Sequence, residues 1–186
     1  DYWSEDQILD FFDPFVSELV SKICEASPKI LGVSLNGNNR WLAKRFIKRV
    51  RQENDNIVIV VGGYDCVYHD IARHLFNDFD YMIIKEAELT LGPLVNALVK
   101  GEKPSDLPGI LSRYDSDNRE WTGVPLLKDL EEAPPPLYEW TDLALYQSYL
   151  RNHLIPITAS RGCNWGKCRF CAECFEFRMR DPKSVV

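Results

Sequence analysis

Four of the chain's six cysteines, Cys163, Cys168, Cys171 and Cys174, fall within twelve residues of one another. Thiols that crowded act as metal ligands more readily than as a disulfide framework. An iron–sulfur cluster asks three things of a sequence: thiolates, a loop able to wrap a bulky inorganic core, and neighbours that offset the core's negative charge. The run Arg161-Gly162-Cys163-Asn164-Trp165-Gly166-Lys167-Cys168-Arg169-Phe170-Cys171 supplies each of them. Gly162 and Gly166 permit tight turns. From Arg161 to Lys183 six basic residues stand against three acidic ones, in a chain of net charge −6. Four thiolates also satisfy a closed tetrahedral zinc site, although zinc motifs usually pair their cysteines two by two across a longer loop. Spacing therefore leaves three designs open. One is a zinc knot on all four cysteines in a non-catalytic α/β binding module. The second is a ferredoxin-like carrier with Cys174 as its fourth ligand. The third is a cluster on three cysteines with one iron free to take a further ligand. Of the remaining thiols, Cys24 reads as a buried small hydrophobe, and Cys66 follows a glycine pair.

These residues need elements to position them. Asp13 and Pro14 read as an N-cap and first helical residue, opening a helix over 13–26 with Phe15, Leu19 and Ile23 on one face. Residues 29–35 form a short apolar run bounded by Pro28 and Asn36-Gly37-Asn38, which suits a buried parallel strand. Residues 41–52 are an amphipathic helix with Leu42, Phe46, Ile47 and Val50 on its apolar face. The alternation continues with a strand over 56–61, a helix over 67–76, a strand over 80–84 and a helix over 91–99. A hairpin over 109–114 and 119–122 turns at Asp115-Ser116-Asp117-Asn118. Alternating strands and helices place the body in the α/β class. The stretch Glu131-Glu132-Ala133-Pro134-Pro135-Pro136 reads as an acidic, extended spacer. The domain expectation is thus 1–127, a linker over 128–152, and a second domain from 153 to 186. Its first strand, 154–158, delivers the chain into the cysteine run.

Open α/β sheets bind ligands in the crevice beyond the carboxyl ends of their strands. The loops at those ends are Ser34-Leu35-Asn36-Gly37-Asn38, Gly62-Gly63-Tyr64-Asp65-Cys66 and Lys85-Glu86-Ala87-Glu88. Candidate binding residues are Ser34 and Asn36 as hydrogen-bond donors, Gly37, Gly62 and Gly63 where a ligand approaches backbone, and Glu86 and Glu88. The alternative reading of the glycine pair is a tight strand-to-helix turn with no ligand. His69 and His74 read as surface or packing residues.

Thr158-Ala159-Ser160-Arg161-Gly162-Cys163 followed by Cys168-Arg169-Phe170-Cys171 resembles the signature of radical S-adenosylmethionine (radical SAM) enzymes that carry an upstream cobalamin (B12)-binding domain. Here four residues separate the first two cysteines. The strand-end loops resemble that B12-binding domain too, with a serine at one strand end, Gly-Gly at the next, and Lys85-Glu86-Ala87-Glu88 where the family has a Gly-Glu-Gly-Glu-like turn. The resemblance implies an incomplete Rossmann-like, parallel-sheet domain of B12-binding type, followed by the first strand and cluster loop of a radical SAM partial TIM barrel. It implies that Cys163, Cys168 and Cys171 ligate three irons of a [4Fe–4S] cluster, that S-adenosylmethionine takes the fourth, and that Phe170 lies beside its adenine. An electron from the reduced cluster would then yield a 5′-deoxyadenosyl radical for methyl transfer or another radical modification of an unidentified small molecule or peptide. Cobalamin would lie in the crevice, and a flavodoxin or ferredoxin would deliver electrons. Residues 175–186 resemble the family's lead into the first barrel helix. By the same resemblance the chain lacks the start of the B12-binding domain and most of the barrel, and so would not turn over by itself.

Composition narrows the other classes. Hydrophobic residues at 45% and charged residues at 27% fit a folded globular chain, not a disordered one. The acidic balance lacks the basic footprint of a nucleic-acid binder. No apolar run approaches the roughly 18 residues of a membrane span, and the start Asp1-Tyr2-Trp3-Ser4 does not have the order of a signal peptide. The expectation is a cytoplasmic protein with neither nucleic-acid nor membrane partners.

Overall fold

Proline in the first turn, followed by a run free of glycine and further proline with an apolar stripe, sets the first long helix. The computed structural model of the protein describes residues 5–67, 78–116, 123–133, 137–139, 141–142, 158–171, 177–179 and 181. Helix α1 spans Glu5–Phe11 and α2 spans Asp13–Ala26. Phe12, and not Asp13, occupies the N-cap, because α1 runs almost directly into α2. The Phe12 N–H donates to the Ile8 carbonyl and the Val16 N–H to the Phe12 carbonyl. Asp13 thus sits inside the first turn, where an acid favours the helix dipole.

The buried stripe of α2 is also rotated from the expected one. Val16 and Val20 are sealed in the core and Ile23 and Cys24 pack partly against it, whereas Phe15 is 64% exposed and Leu19 faces outward with it. Positions 16, 20, 23 and 24 make a continuous helical face. The neighbour that selects it is α3, Arg40–Glu53, whose Ala43, Phe46, Ile47 and Val50 are buried. Arg45 and Arg49 of α3 reach back to the Asp13 carboxylate at 2.9 and 2.7 Å. The bond from Arg49 is the chief cause holding that carboxyl below its ordinary pKa.

Strand β1 (Ile30–Ser34), β2 (Val58–Gly62) and β3 (Tyr81–Ile83) run parallel, and β4 (Ile110–Ser112) joins the far side antiparallel, in the spatial order β1-β2-β3-β4. The first register pairs Ile30 with Val58 and Ser34 with Gly62. The strands expected over 29–35, 56–61, 80–84 and 109–114 and the three helices at 13–26, 40–53 and 91–99 are present within a residue or two. The neighbour of β4 is β3. The other arm of the expected hairpin, and all but the first residue of the helix expected over 67–76, lie outside the described residues.

Side chains alternate across the sheet as the strand period demands. Ile59, Val61, Met82 and Leu111 face α2 and α3. Val60, Tyr81, Ile83 and Ile110 face Leu94 of helix α4, Leu91–Val99. Each fully buried aliphatic side chain here contributes roughly 1.5–3 kcal/mol relative to exposure.

One charged group is built into this core. The Asp80 carboxylate is buried and accepts bonds from the Ile59 N–H (2.7 Å), Arg51 Nη2 (2.6 Å) and Arg113 Nη1 (2.9 Å). It ties α3, β2, β3 and the segment after β4 at one point.

The chain divides into two compact units, Asp1–Leu126 and Leu127–Val186. In the second, Leu127, Leu130 and Ala133 are buried. The acidic stretch begins not as an extended spacer but as a short 3-10 helix, Leu130–Glu132, because the Asp129 carboxylate caps the Glu131 N–H at 2.9 Å. The prolines 134–136 lie outside the described residues, as do residues 154–157 of the expected strand. Strand β5 (Ser160–Arg161) pairs antiparallel with β6 (Arg178–Met179) and closes the cysteine loop at its base. No helix among the described residues is long and apolar enough to cross a membrane.

Candidate functional site

Because β1, β2 and β3 are parallel, the three loops that follow them emerge on one edge of the sheet. Backbone bonds stitch those loops together. The Leu35 N–H donates to the Gly62 carbonyl (2.7 Å), the Asp65 N–H to the Leu35 carbonyl (3.2 Å), and the Lys85 N–H to the Cys66 carbonyl (3.2 Å). Ser34, Gly62, Gly63 and the turn that holds Glu86 and Glu88 are thereby gathered at one edge. Ser34 and Gly37 are exposed. The Asn36 side chain has a local role, its Oδ1 accepting from the N–H groups of Asn38 (2.9 Å) and Asn39 (3.2 Å) to shape the turn into α3. The Asn39 side chain answers by accepting from the Asn36 N–H at 2.9 Å.

The two glycines of the pair differ. Gly63 has φ 101°, and a Cβ there would stand 2.6 Å from the Leu35 carbonyl oxygen and 2.9 Å from Ser34 Oγ. The protein's own β1 loop therefore demands glycine at 63. At Gly62 a Cβ would meet Ile83 at an ordinary 3.7 Å. Gly63→Ala is expected to destabilise the fold by about 2–3 kcal/mol through backbone strain and the clash, and Gly62→Ala by less than about 1 kcal/mol. Urea midpoints of the two variants check this. Equal midpoints would show that the loop stitching is not what fixes glycine at 63.

Lys85 takes the left-handed conformation, φ 62°, at the first position of the turn where the resemblance places a glycine. That conformation costs a residue with a side chain roughly 1–2 kcal/mol, so the turn keeps the glycine-like backbone without the glycine.

Sequence reasoning missed one pair at this edge. Arg40 Nε and Nη2 donate to the two Asp65 oxygens at 2.9 and 3.0 Å, a bidentate bridge whose carboxylate is almost wholly buried. The signal was a basic residue opening a helix, which runs against the helix dipole and so calls for an acidic partner. The bridge fixes the start of α3 to the loop after β2.

Cys66 is fully buried beneath the same loop. Burial, with the neighbouring Asp65 charge adding to it, pushes its thiol from 9.0 up to about 12. The folded state holds the proton more tightly than the unfolded chain, so this contribution to stability is complete below pH 9 and fades as the pH rises toward 12. Cys66 is a packed thiol with no role as a nucleophile at neutral pH.

The cysteine loop belongs to the second unit. Gly162 and Gly166 both take positive φ, 79° and 56°, and the Cys171 N–H donates to the Cys168 carbonyl at 3.3 Å. Cys163, Cys168 and Cys171 are half-buried. Phe170 is 93% exposed, and Trp165 projects outward with Lys167 Nζ 5.3 Å above its ring. Among the described residues no three His, Cys, Asp or Glu side chains converge as ligands on a single ion. A cubane takes its thiolates on different irons and needs no such convergence. The donor set, three cysteine thiols on one loop closed by a strand pair, fits that group.

Known proteins share this arrangement of sheet and loops. Residues 5–95 match the family model of the B12 binding domain. An anaerobic magnesium-protoporphyrin IX monomethyl ester cyclase of Synechocystis is 28% identical over 177 residues, covering 91% of this chain and 35% of the relative. An uncharacterized methyltransferase of Pyrococcus horikoshii is 26% identical over 165 residues, covering 88% and 36%. Among solved structures, the radical S-adenosylmethionine methyltransferase TsrM of Kitasatospora setae superposes with a TM-score of 0.65 at 19% identity, over 94% of this chain and 36% of that one. At that identity the likeness is one of fold. The chain spans about a third of the length of the cyclase and of the methyltransferase from Pyrococcus.

Proposed function

Starting from a chain that is kin to the radical SAM proteins carrying a B12-binding domain, we propose that it forms the cofactor-loading part of such an enzyme. In this reading Cys163, Cys168 and Cys171 hold a [4Fe–4S] cluster, S-adenosylmethionine takes its open iron, and Phe170 covers the adenine. The edge formed by Ser34, Asn36, Gly37, Gly62, Gly63, Glu86 and Glu88 receives cobalamin. The observation that carries the reading is the loop between β5 and β6, with three half-buried cysteines, two left-handed glycines and an exposed Phe170.

When bound, the cluster supplies the electron that cleaves the sulfonium of S-adenosylmethionine, and cobalamin supplies a carrier for a methyl group or an electron. The chain's own residues do the positioning. Gly162 and Gly166 let the loop turn, Lys167 and Arg169 set positive charge beside the thiolates, and Gly63 keeps the β1 and β2 loops in register. The reaction class is methyl transfer or another radical modification of a small molecule or peptide, in the cytoplasm, with a flavodoxin or ferredoxin as reductant.

Hydroxocobalamin titrated into the chain tests the upstream half. A changed corrinoid spectrum that survives desalting supports it, and a corrinoid removed completely by desalting overturns it.

A further inference from the structure

Strand β6 holds an arginine that its own pairing does not call for. Arg178 stands directly opposite Arg161, and like charges facing each other across an antiparallel pair destabilise it. The side chain is also buried, 8% exposed, where a guanidinium is tolerated only with its donors engaged. Its Nη1 donates to the Leu127 carbonyl at 2.7 Å, reaching a residue far upstream at the start of the second unit. Close by in sequence, the Asp181 N–H donates to Glu131 Oε1 at 2.7 Å. Two bonds therefore join the strand that leaves the cysteine loop to the segment that enters the unit, which buries Leu127, Leu130 and Ala133.

We infer that Arg178 is the positioning residue of the cysteine loop. By clasping β6 to the Leu127–Glu132 segment it fixes the base of the loop, so that Cys163, Cys168 and Cys171 are presented at a set spacing before any iron arrives. Glu131 is the second latch. The inference rests on the proposed function and deepens it, since it assigns the device that shapes the cluster's seat. Arginine suits the task because its planar fork keeps several donors in fixed directions, which a lysine does not.

The test uses Arg178→Ala, Arg178→Lys and Glu131→Gln in the full chain. In the metal-free chain, hydrogen exchange at the amides of Ser160, Arg161, Arg178 and Met179 is expected to accelerate about tenfold in Arg178→Ala, as for the loss of a charge-assisted bond. The acceleration should be smaller in Arg178→Lys and Glu131→Gln. After anaerobic reconstitution, Arg178→Ala should lose its cluster to a chelator at least about tenfold faster and shift the paramagnetic resonance line shape, with partial rescue by Arg178→Lys. Exchange rates and cluster lifetime unchanged in Arg178→Ala would overturn the inference. Should Arg178→Ala fail to fold, Arg178→Met, which keeps the length of the side chain without a donor, and Glu131→Ala, which removes the acceptor of the Asp181 N–H, decide, since both retain wild-type exchange only if the clasp is dispensable. An unaltered chain that takes up no iron–sulfur cluster would remove the cluster assignment, while the exchange measurement still decides the role of Arg178.

Discussion

Replacing any one of Cys163, Cys168 or Cys171 by alanine is expected to leave the reconstituted chain without a [4Fe–4S] cluster, whereas Cys174→Ala leaves it intact. The iron is bonded to thiolate sulfur, and no neighbouring side chain substitutes at the right place: the loop from 158 to 171 contains no His, Asp or Glu. The expected effect is therefore near-complete loss. Iron and sulfide content, with the visible absorbance of the reconstituted protein, measures it. Loss of the cluster in Cys174→Ala would favour the ferredoxin-like carrier. Four equivalent losses together with stoichiometric zinc would favour the zinc module.

Asp80→Ala should be the most damaging single change in the first unit. The carboxylate accepts from a buried N–H and from two guanidinium groups. Removing it leaves the Ile59 N–H without its side-chain acceptor in the core and takes from the largely buried Arg51 its shortest ion pair, leaving that guanidinium the Asp55 carboxylate and the carbonyls of Asp55, Ile57 and Asp78. Breaking a buried pair by deleting one partner costs about 3–5 kcal/mol. A fall of that size in urea-unfolding free energy is the expected result. Asp80→Asn, which keeps an acceptor oxygen, should lose less. A change below about 1 kcal/mol in Asp80→Ala would show that the ion network is not holding β2, β3 and α3 together.

Much of the first unit was legible because its strands are continuous apolar runs. Those at 30–34 and 58–62 end in Ser34 and Gly62, and such endings are readable. The helical face of α2 was not, because Phe15, Leu19 and Ile23, four and four residues apart, and Val16, Val20 and Ile23, four and three apart, are both apolar sets at helical spacing. Periodicity cannot choose between two apolar stripes; the packing of α3 does. Pairings distant in sequence were likewise invisible. Asp80 with Arg51 and Arg113, Arg40 with Asp65, and Arg178 with the Leu127 carbonyl join segments that no local pattern connects. The cysteine loop was the reverse case: its ligand candidates, glycines and charges are all local, so the candidate site was readable before its supports were.

Paramagnetic resonance of the anaerobically reconstituted and reduced chain, recorded before and after addition of S-adenosylmethionine, tests the central claim most directly. The account predicts the signal of a reduced cubane whose line shape changes when S-adenosylmethionine is added. Stoichiometric zinc with no such signal, or a cubane signal indifferent to S-adenosylmethionine, would contradict it.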